Sequence, residues 1–198
     1  FLLLGESLPT RVTFIGEPTV SLRTLMQAFY SVGYKLEIDT FILQKSAGEL
    51  SALARGNKPF NPAALGENLK EEGILVGKAY MRGGELVLEL DTRNCVWNVP
   101  LLEGDDGAEL KRTASVQWFR LKDVQRIAIQ PPYVGRWYPD VAIYNRTLGI
   151  LSSLRDTESK EELHLELPQD AYYLKISNTQ GMKVLKEGMW IESTGIER

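Results

Sequence analysis

The sequence predicts an α+β protein, an N-terminal β-α-β/α-β-β module followed by an all-β sandwich domain. Two observations predict it. Helix and strand patterns alternate from Arg11 to Asp91. After Arg93 no amphipathic helix recurs, and short extended runs punctuated by Gly, Pro, Asn and Asp take over. The expected division is therefore 1–93 for a small α/β docking module and 94–198 for a jelly-roll-like sandwich.

Arg11-Val12-Thr13-Phe14-Ile15-Gly16 is rich in β-branched and aromatic residues and reads as a strand. Ser21 is a good N-cap for a helix whose apolar stripe is Leu22, Leu25, Met26, Phe29 and Tyr30. Gly33 follows as the residue that ends it in the left-handed conformation. Tyr34 to Asp39 alternates apolar and polar, the signature of a half-buried strand. Gln44 to Arg55 reads as a short helix or an irregular stretch. Asn61-Pro62 is a strong helix start, Ala64, Leu65 and Leu69 supply its buried stripe, and Gly73 ends it. Ile74–Tyr80 and Glu85–Asp91 read as a hairpin around Gly83-Gly84, with Leu86, Leu88 and Leu90 inward. In the second half, strands are expected over Cys95–Leu102, Ser115–Leu121, Gln125–Gln130, Val141–Tyr144, Glu162–Leu167, Tyr172–Ser177 and Met189–Glu192. Leu148–Leu154 fits either a strand or a helical turn.

Among 198 residues, 43% are hydrophobic and 25% charged, with a formal net charge of -3. That balance excludes a nucleic-acid protein relying on overall basicity, because phosphate binding is driven by Lys and Arg. No stretch approaches the roughly 20 apolar residues that span a bilayer, so an integral helical membrane protein is not expected. Cys95 is the sole cysteine, so no internal disulfide forms, and its neighbours Val96 and Trp97 suggest a small buried hydrophobe. Phe1-Leu2-Leu3-Leu4-Gly5 reads either as the remnant of a removed signal peptide or as a first strand.

The chemistry is sparse. His164, the one histidine, alternates with Leu163 and Leu165 and belongs on the solvated face with Glu162 and Glu166. One His and one Cys far apart make no ordinary zinc site. Neither a Gly-rich phosphate loop nor a Gly-x-Ser-x-Gly elbow is present, so no cofactor, no metal and no catalytic residue is assigned, and the chain is expected not to be an enzyme. The acidic run Glu103 to Glu109 reads as a solvated turn rather than a calcium loop, since it lacks the Asp-x-Asp-x-Asp-Gly pattern. Asn145-Arg146-Thr147 fits a glycosylation acceptor, relevant only in a eukaryotic secretory setting. The densest aromatic cluster is Pro131 to Pro139, which offers Tyr133, Arg136, Trp137 and Tyr138 as candidate binding residues. The alternative for Trp137 and Tyr138 is that they plug the end of the sandwich.

Two resemblances accompany this reading. Leu25 to Asp39 and Pro62 to Leu75 with the hairpin to Leu90 resemble the short N-terminal domain of secretins and TonB-dependent transducers. The segment from Leu43 to Asn61 departs from that pattern by being longer and more helical. Tyr138-Pro139-Asp140-Val141-Ala142-Ile143-Tyr144-Asn145 and Asp170 to Ser177 are similar to strands of the small jelly-roll sandwiches appended to secreted proteins. The resemblances imply a periplasmic or extracellular envelope scaffold, a component of secretion, pilus or transport machinery that docks a protein partner. The second reading is a carbohydrate- or cell-surface-binding module that uses the Tyr133–Tyr138 loop on a glycan.

Overall fold

A computed structural model describes residues 6–110, 115–130, 136–182 and 188–195. The protein is α+β and mostly strand, and it divides into two compact units between Asn98 and Val99. The break falls a little beyond Arg93 because the intervening residues are tied to the first unit. Val96 N–H donates to the Glu72 carbonyl at 3.1 Å, and Gln27 Nε2 to the Asn98 carbonyl at 2.8 Å. Arg23 stacks 4.8 Å above the Trp97 ring, and Cys95 is buried.

The first unit runs β1 (Glu6–Ile15), α1 (Pro18–Ser31), β2 (Tyr34–Gln44), β3 (Ala47–Gly56), α2 (Pro62–Glu71), β4 (Leu75–Arg82) and β5 (Glu85–Asp91). Its sheet has the order β2-β3-β1-β5-β4, with β1 and β5 parallel and the other neighbours antiparallel. Each helix therefore connects two parallel strands that are not neighbours: β3 lies between β1 and β2, which α1 joins, and β1 and β5 lie between β3 and β4, which α2 joins. Thr10, Val12 and Phe14 of β1 share one buried face with Leu50, Ala52 and Ala54 of β3 and Leu86, Leu88 and Leu90 of β5. The helices cover that face with Val20, Leu25, Ala28, Phe29, Leu65 and Leu69.

Three local expectations are corrected here. The stretch from Gln44 to Arg55 is not helical: its small residues alternate, and Gly48, Leu50, Ala52 and Ala54 point to the core as β3. Helix α1 begins at Pro18, whose fixed φ suits the first turn, so Ser21 is inside the helix and donates its hydroxyl to the Glu17 carbonyl at 2.7 Å. Its buried face is rotated from the expected stripe: Met26 and Tyr30 are exposed, while Ser21 and Thr24 are buried. Elsewhere the local chemistry acts as read. Asn61 caps α2 by accepting from Ala64 N–H at 3.1 Å, and Gly83 and Gly84 turn the hairpin at φ 59° and 83°.

The second unit contains β6 (Leu101–Glu103), β7 (Gly107–Leu110), β8 (Gln117–Lys122), β9 (Val124–Gln130), β10 (Pro139–Tyr144), β11 (Ile150–Arg155), β12 (Leu163–Glu166), β13 (Tyr173–Asn178) and β14 (Met189–Gly195). They form two sheets, β11-β10-β13-β8-β6 and β12-β9-β14-β7. The antiparallel pairs are nested, β10 with β11, β9 with β12, β8 with β13 and β7 with β14. A long hairpin wrapped into two sheets in this way is the strand order of a jelly roll. Both sheets contribute to one core, with Phe119, Val141, Ile143, Leu174 and Ile176 from one and Ile127, Ile129, Met189 and Ile191 from the other. The ambiguous Leu148–Leu154 stretch holds a strand, and the expected strand at Cys95–Leu102 shortens to Leu101–Glu103 because Cys95 to Asn98 serve the first unit. Among the described residues no helix is long and apolar enough to cross a membrane.

Candidate functional site

The sheet of the first unit is covered by its helices on one face, and the other face bears exposed ionic side chains. Strand alternation sends Arg11, Thr13 and Ile15 of β1 to that open face, beside Glu49 of β3 and Glu85, Glu89 and Asp91 of β5. Charges alternate across it. Arg11 lies 3.4 Å from Glu85 and 4.0 Å from Glu49, Lys78 lies 2.9 Å from Glu89, and Arg55 lies 2.6 Å from Glu37. These pairs are solvent-screened, so they order the face more than they stabilise the fold. Asp91 is held well below the ordinary aspartate range: hydrogen bonds from the Arg93 side chain and backbone N–H lower its pKa from 3.8 to about 2. A shallow groove of about 490 Å³ crosses this face, floored by Thr13, Ile15 and Ile42 and rimmed by Glu49, Glu89 and Asp91.

The edges of the same sheet are β2 and β4, each paired on one side only. Both carry a bulge, between Ile38 and Thr40 and between Val76 and Lys78, a feature that blunts edge pairing. They differ in exposure and charge. Every residue of β4 is exposed, including Leu75 at 60% and Met81 at 55%. Its charged residues are Lys78 and Arg82, with no acid, whereas β2 mixes Lys35 with Glu37 and Asp39.

The residues singled out from the sequence are distributed as follows. Tyr133 lies outside the described residues. Arg136 is exposed and Tyr138 half-buried, its backbone N–H donating to Asn178 Oδ1 at 3.2 Å. Trp137 is fully buried in the sandwich core, with Nε1 donating to the Ser177 carbonyl at 2.9 Å. It is the plug rather than a ligand platform, because its ring has no solvent face and its only donor is used. The expected cluster of Tyr133, Arg136, Trp137 and Tyr138 thus loses its centre.

His164 lies on the exposed face, 3.1 Å from Glu162. The acidic run is the exposed turn between two strands that its composition predicts. It closes β6 and opens β7, Asp105 accepts from Gly195 N–H at 2.9 Å, and the Ser193 hydroxyl donates to the Glu103 carbonyl. Its carboxylates fasten a turn, and among the described residues no group of three His, Cys, Asp or Glu side chains is placed to hold a metal. Asn145 Oδ1 accepts from Thr147 N–H and Gly149 N–H at 3.1 and 2.7 Å, which builds the β10–β11 turn. Sequence reading missed the β4 edge as a site, although Leu75 and Met81 on a strand carrying Lys78 and Arg82 were its signal. It also missed Trp190, an exposed aromatic on β14. No protein-family model and no curated protein matches the chain.

Proposed function

We propose that this chain is a non-enzymatic scaffold or assembly component of the cell envelope, and that it docks a protein partner by strand addition along β4. The observation that carries this reading is the fully exposed edge of β4, with Leu75, Val76, Tyr80 and Met81 set among Lys78 and Arg82. An added strand would gain backbone hydrogen bonds from the free side of β4 and specificity from alternate side chains. Lys78 and Arg82, with no acid on β4, favour as partner an extended segment that alternates apolar and acidic residues. Opposite charges directly across a strand pair favour such a register, and like charges oppose it. The envelope setting, periplasmic or extracellular, rests on the resemblance of residues 11–91 to the secretin and TonB-transducer domain. The nested sandwich following that unit is in keeping with it.

The test uses an eight-residue peptide of alternating Glu and Val, titrated into the whole chain and followed by backbone amide NMR. The expected result is shifts and slowed exchange concentrated on β4 amides, with binding weakened at least about tenfold in Tyr80→Glu/Met81→Glu, a loss of about 1.4 kcal/mol. Equal binding by that variant, shifts confined to β2, or no shift at millimolar peptide would each overturn the β4 assignment.

A further inference from the structure

We propose that the outer face of the β7-β14-β9-β12 sheet is a binding site for a neutral glycan, with Trp190 as its stacking platform. Trp190 is 41% exposed, the only Trp on the described outer face of this sheet, and two features hold it in place. Its Nε1 donates to Glu192 Oε1 at 3.0 Å. Its six-membered ring lies across Gly107 on the neighbouring strand, where a Cβ would stand 2.7 Å from Trp190 Cζ2. The indole therefore lies down on the sheet rather than standing away from it. The Cζ2 edge of the ring comes over Gly107, and the residue stays 41% exposed.

The register surrounds this ring with hydrogen-bonding groups. Trp190 is opposite Gln130 on β9, and Glu192 is opposite Ala128, which in turn is opposite His164 on β12. Gln130 reaches Glu162 at 3.4 Å, and Glu162 reaches His164 at 3.1 Å. From β14 to β12 the face spans two strand spacings, about 10 Å. Ala128 leaves a low point in the middle, bordered by a carboxylate, an amide and an imidazole.

That arrangement has the chemistry of a pyranose site. A sugar ring offers a C–H face to an aromatic plane and a rim of hydroxyls that carboxylates, amides and imidazoles can pair. A protein partner fits less well, because an interface hot spot needs apolar neighbours that exclude water, and here the neighbours of Trp190 are polar or small. Phosphate and anionic glycans fit less well too. Among the described residues, Glu109, Glu162, Glu166 and Glu192 share the face with one permanent cation, Arg126, which pairs with Glu166 at 3.7 Å.

The probes are cellohexaose and N-acetylchitohexaose, each titrated separately into the whole chain. The readouts are the Trp190 indole N–H and the amides of Gln130, Glu192 and His164 by NMR. At least one probe is expected to shift these signals together. Trp190→Ala is expected to weaken binding at least about tenfold. Gly107→Ala, which forces the indole off the sheet, is expected to weaken it as well while amides of the opposite sheet stay unchanged. The proposal is overturned if neither probe shifts the face at millimolar concentration, or if Trp190→Ala binds as the parent does. It is also overturned if the parent self-associates through Trp190 without sugar in sedimentation, which would make the face an interface between copies of this chain.

Discussion

The ring of Tyr34 occupies the space that a side chain on Gly56, its cross-strand partner, would need: a Cβ there would stand 2.6 Å from Tyr34 Cζ. Tyr34 is 1% exposed, its hydroxyl donates to the Lys58 carbonyl at 2.6 Å, and its ring meets Phe60 edge-on at 5.3 Å. Phe14 lies over Gly48 in the same way at the other end of β3. Glycine is ordinarily a weak strand residue, and here an aromatic on the neighbouring strand covers each bare stretch of backbone.

Gly56→Ala is therefore expected to destabilise the first unit by about 1–3 kcal/mol, the usual range for overfilling a packed core. The measurement is amide exchange of β3, which reports this unit separately from the sandwich. Unchanged exchange would mean that Tyr34 has room to move and that the pair does not fix the strand.

How much of this was legible can be judged from the same strand. The signals that succeeded were local: Asn61-Pro62 before α2, Gly83-Gly84 between β4 and β5, and alternation at Leu86, Leu88 and Leu90. Strand β3 failed because Ala47, Ala52 and Ala54 are good helix formers, and the aromatics that cover its glycines, Phe14 over Gly48 and Tyr34 over Gly56, are remote in sequence. The nested strand pairs failed for a related reason. The partner of β7 is β14, and no short window contains both. The Tyr133–Tyr138 loop was read from composition, which does not distinguish an aromatic that faces solvent from one, like Trp137, that fills a core. Trp190 was the opposite case, an aromatic within an ordinary alternating strand whose exposed position followed from the same periodicity that placed His164.

The cap of α2 makes a smaller and more local test. Asn61→Ala removes the acceptor of the Ala64 N–H and is expected to cost about 0.5–2 kcal/mol. Asn61→Asp retains an acceptor oxygen and is expected to stay near the parent. Exchange rates of the first-turn amides of α2 distinguish the two, and equal loss in both variants would exclude capping as the cause.

The Asp91–Arg93 pair predicts a pH dependence with a definite sign. Asp91 is more acidic folded than unfolded, so its contribution is fully present above the ordinary aspartate value of 3.8. That contribution is lost as pH falls through the folded value of about 2. A carboxyl-carbon NMR titration should place the midpoint of Asp91 well below the ordinary aspartate value of 3.8. Arg93→Ala should move it back up, because the first cause of the shift is the Arg93 side-chain hydrogen bond. A midpoint unaffected by that substitution would exclude Arg93 as the cause.

Trp137 gives the sharpest separation between a packing role and a binding role. Truncation to Ala would empty the largest fully buried side-chain volume among the described residues and is expected to cost about 3–5 kcal/mol. Trp137→Phe keeps most of the apolar bulk but leaves the Ser177 carbonyl without its donor, for an expected cost of about 1–3 kcal/mol. Arg136→Ala removes an exposed side chain and is expected to stay within about 0.5 kcal/mol of the parent. Thermal unfolding of the sandwich, followed by near-ultraviolet circular dichroism, ranks the three variants. The order Ala, then Phe, then Arg136→Ala is what a core plug requires. A ligand platform would give three equal stabilities and show its losses only when a glycan or a partner is added.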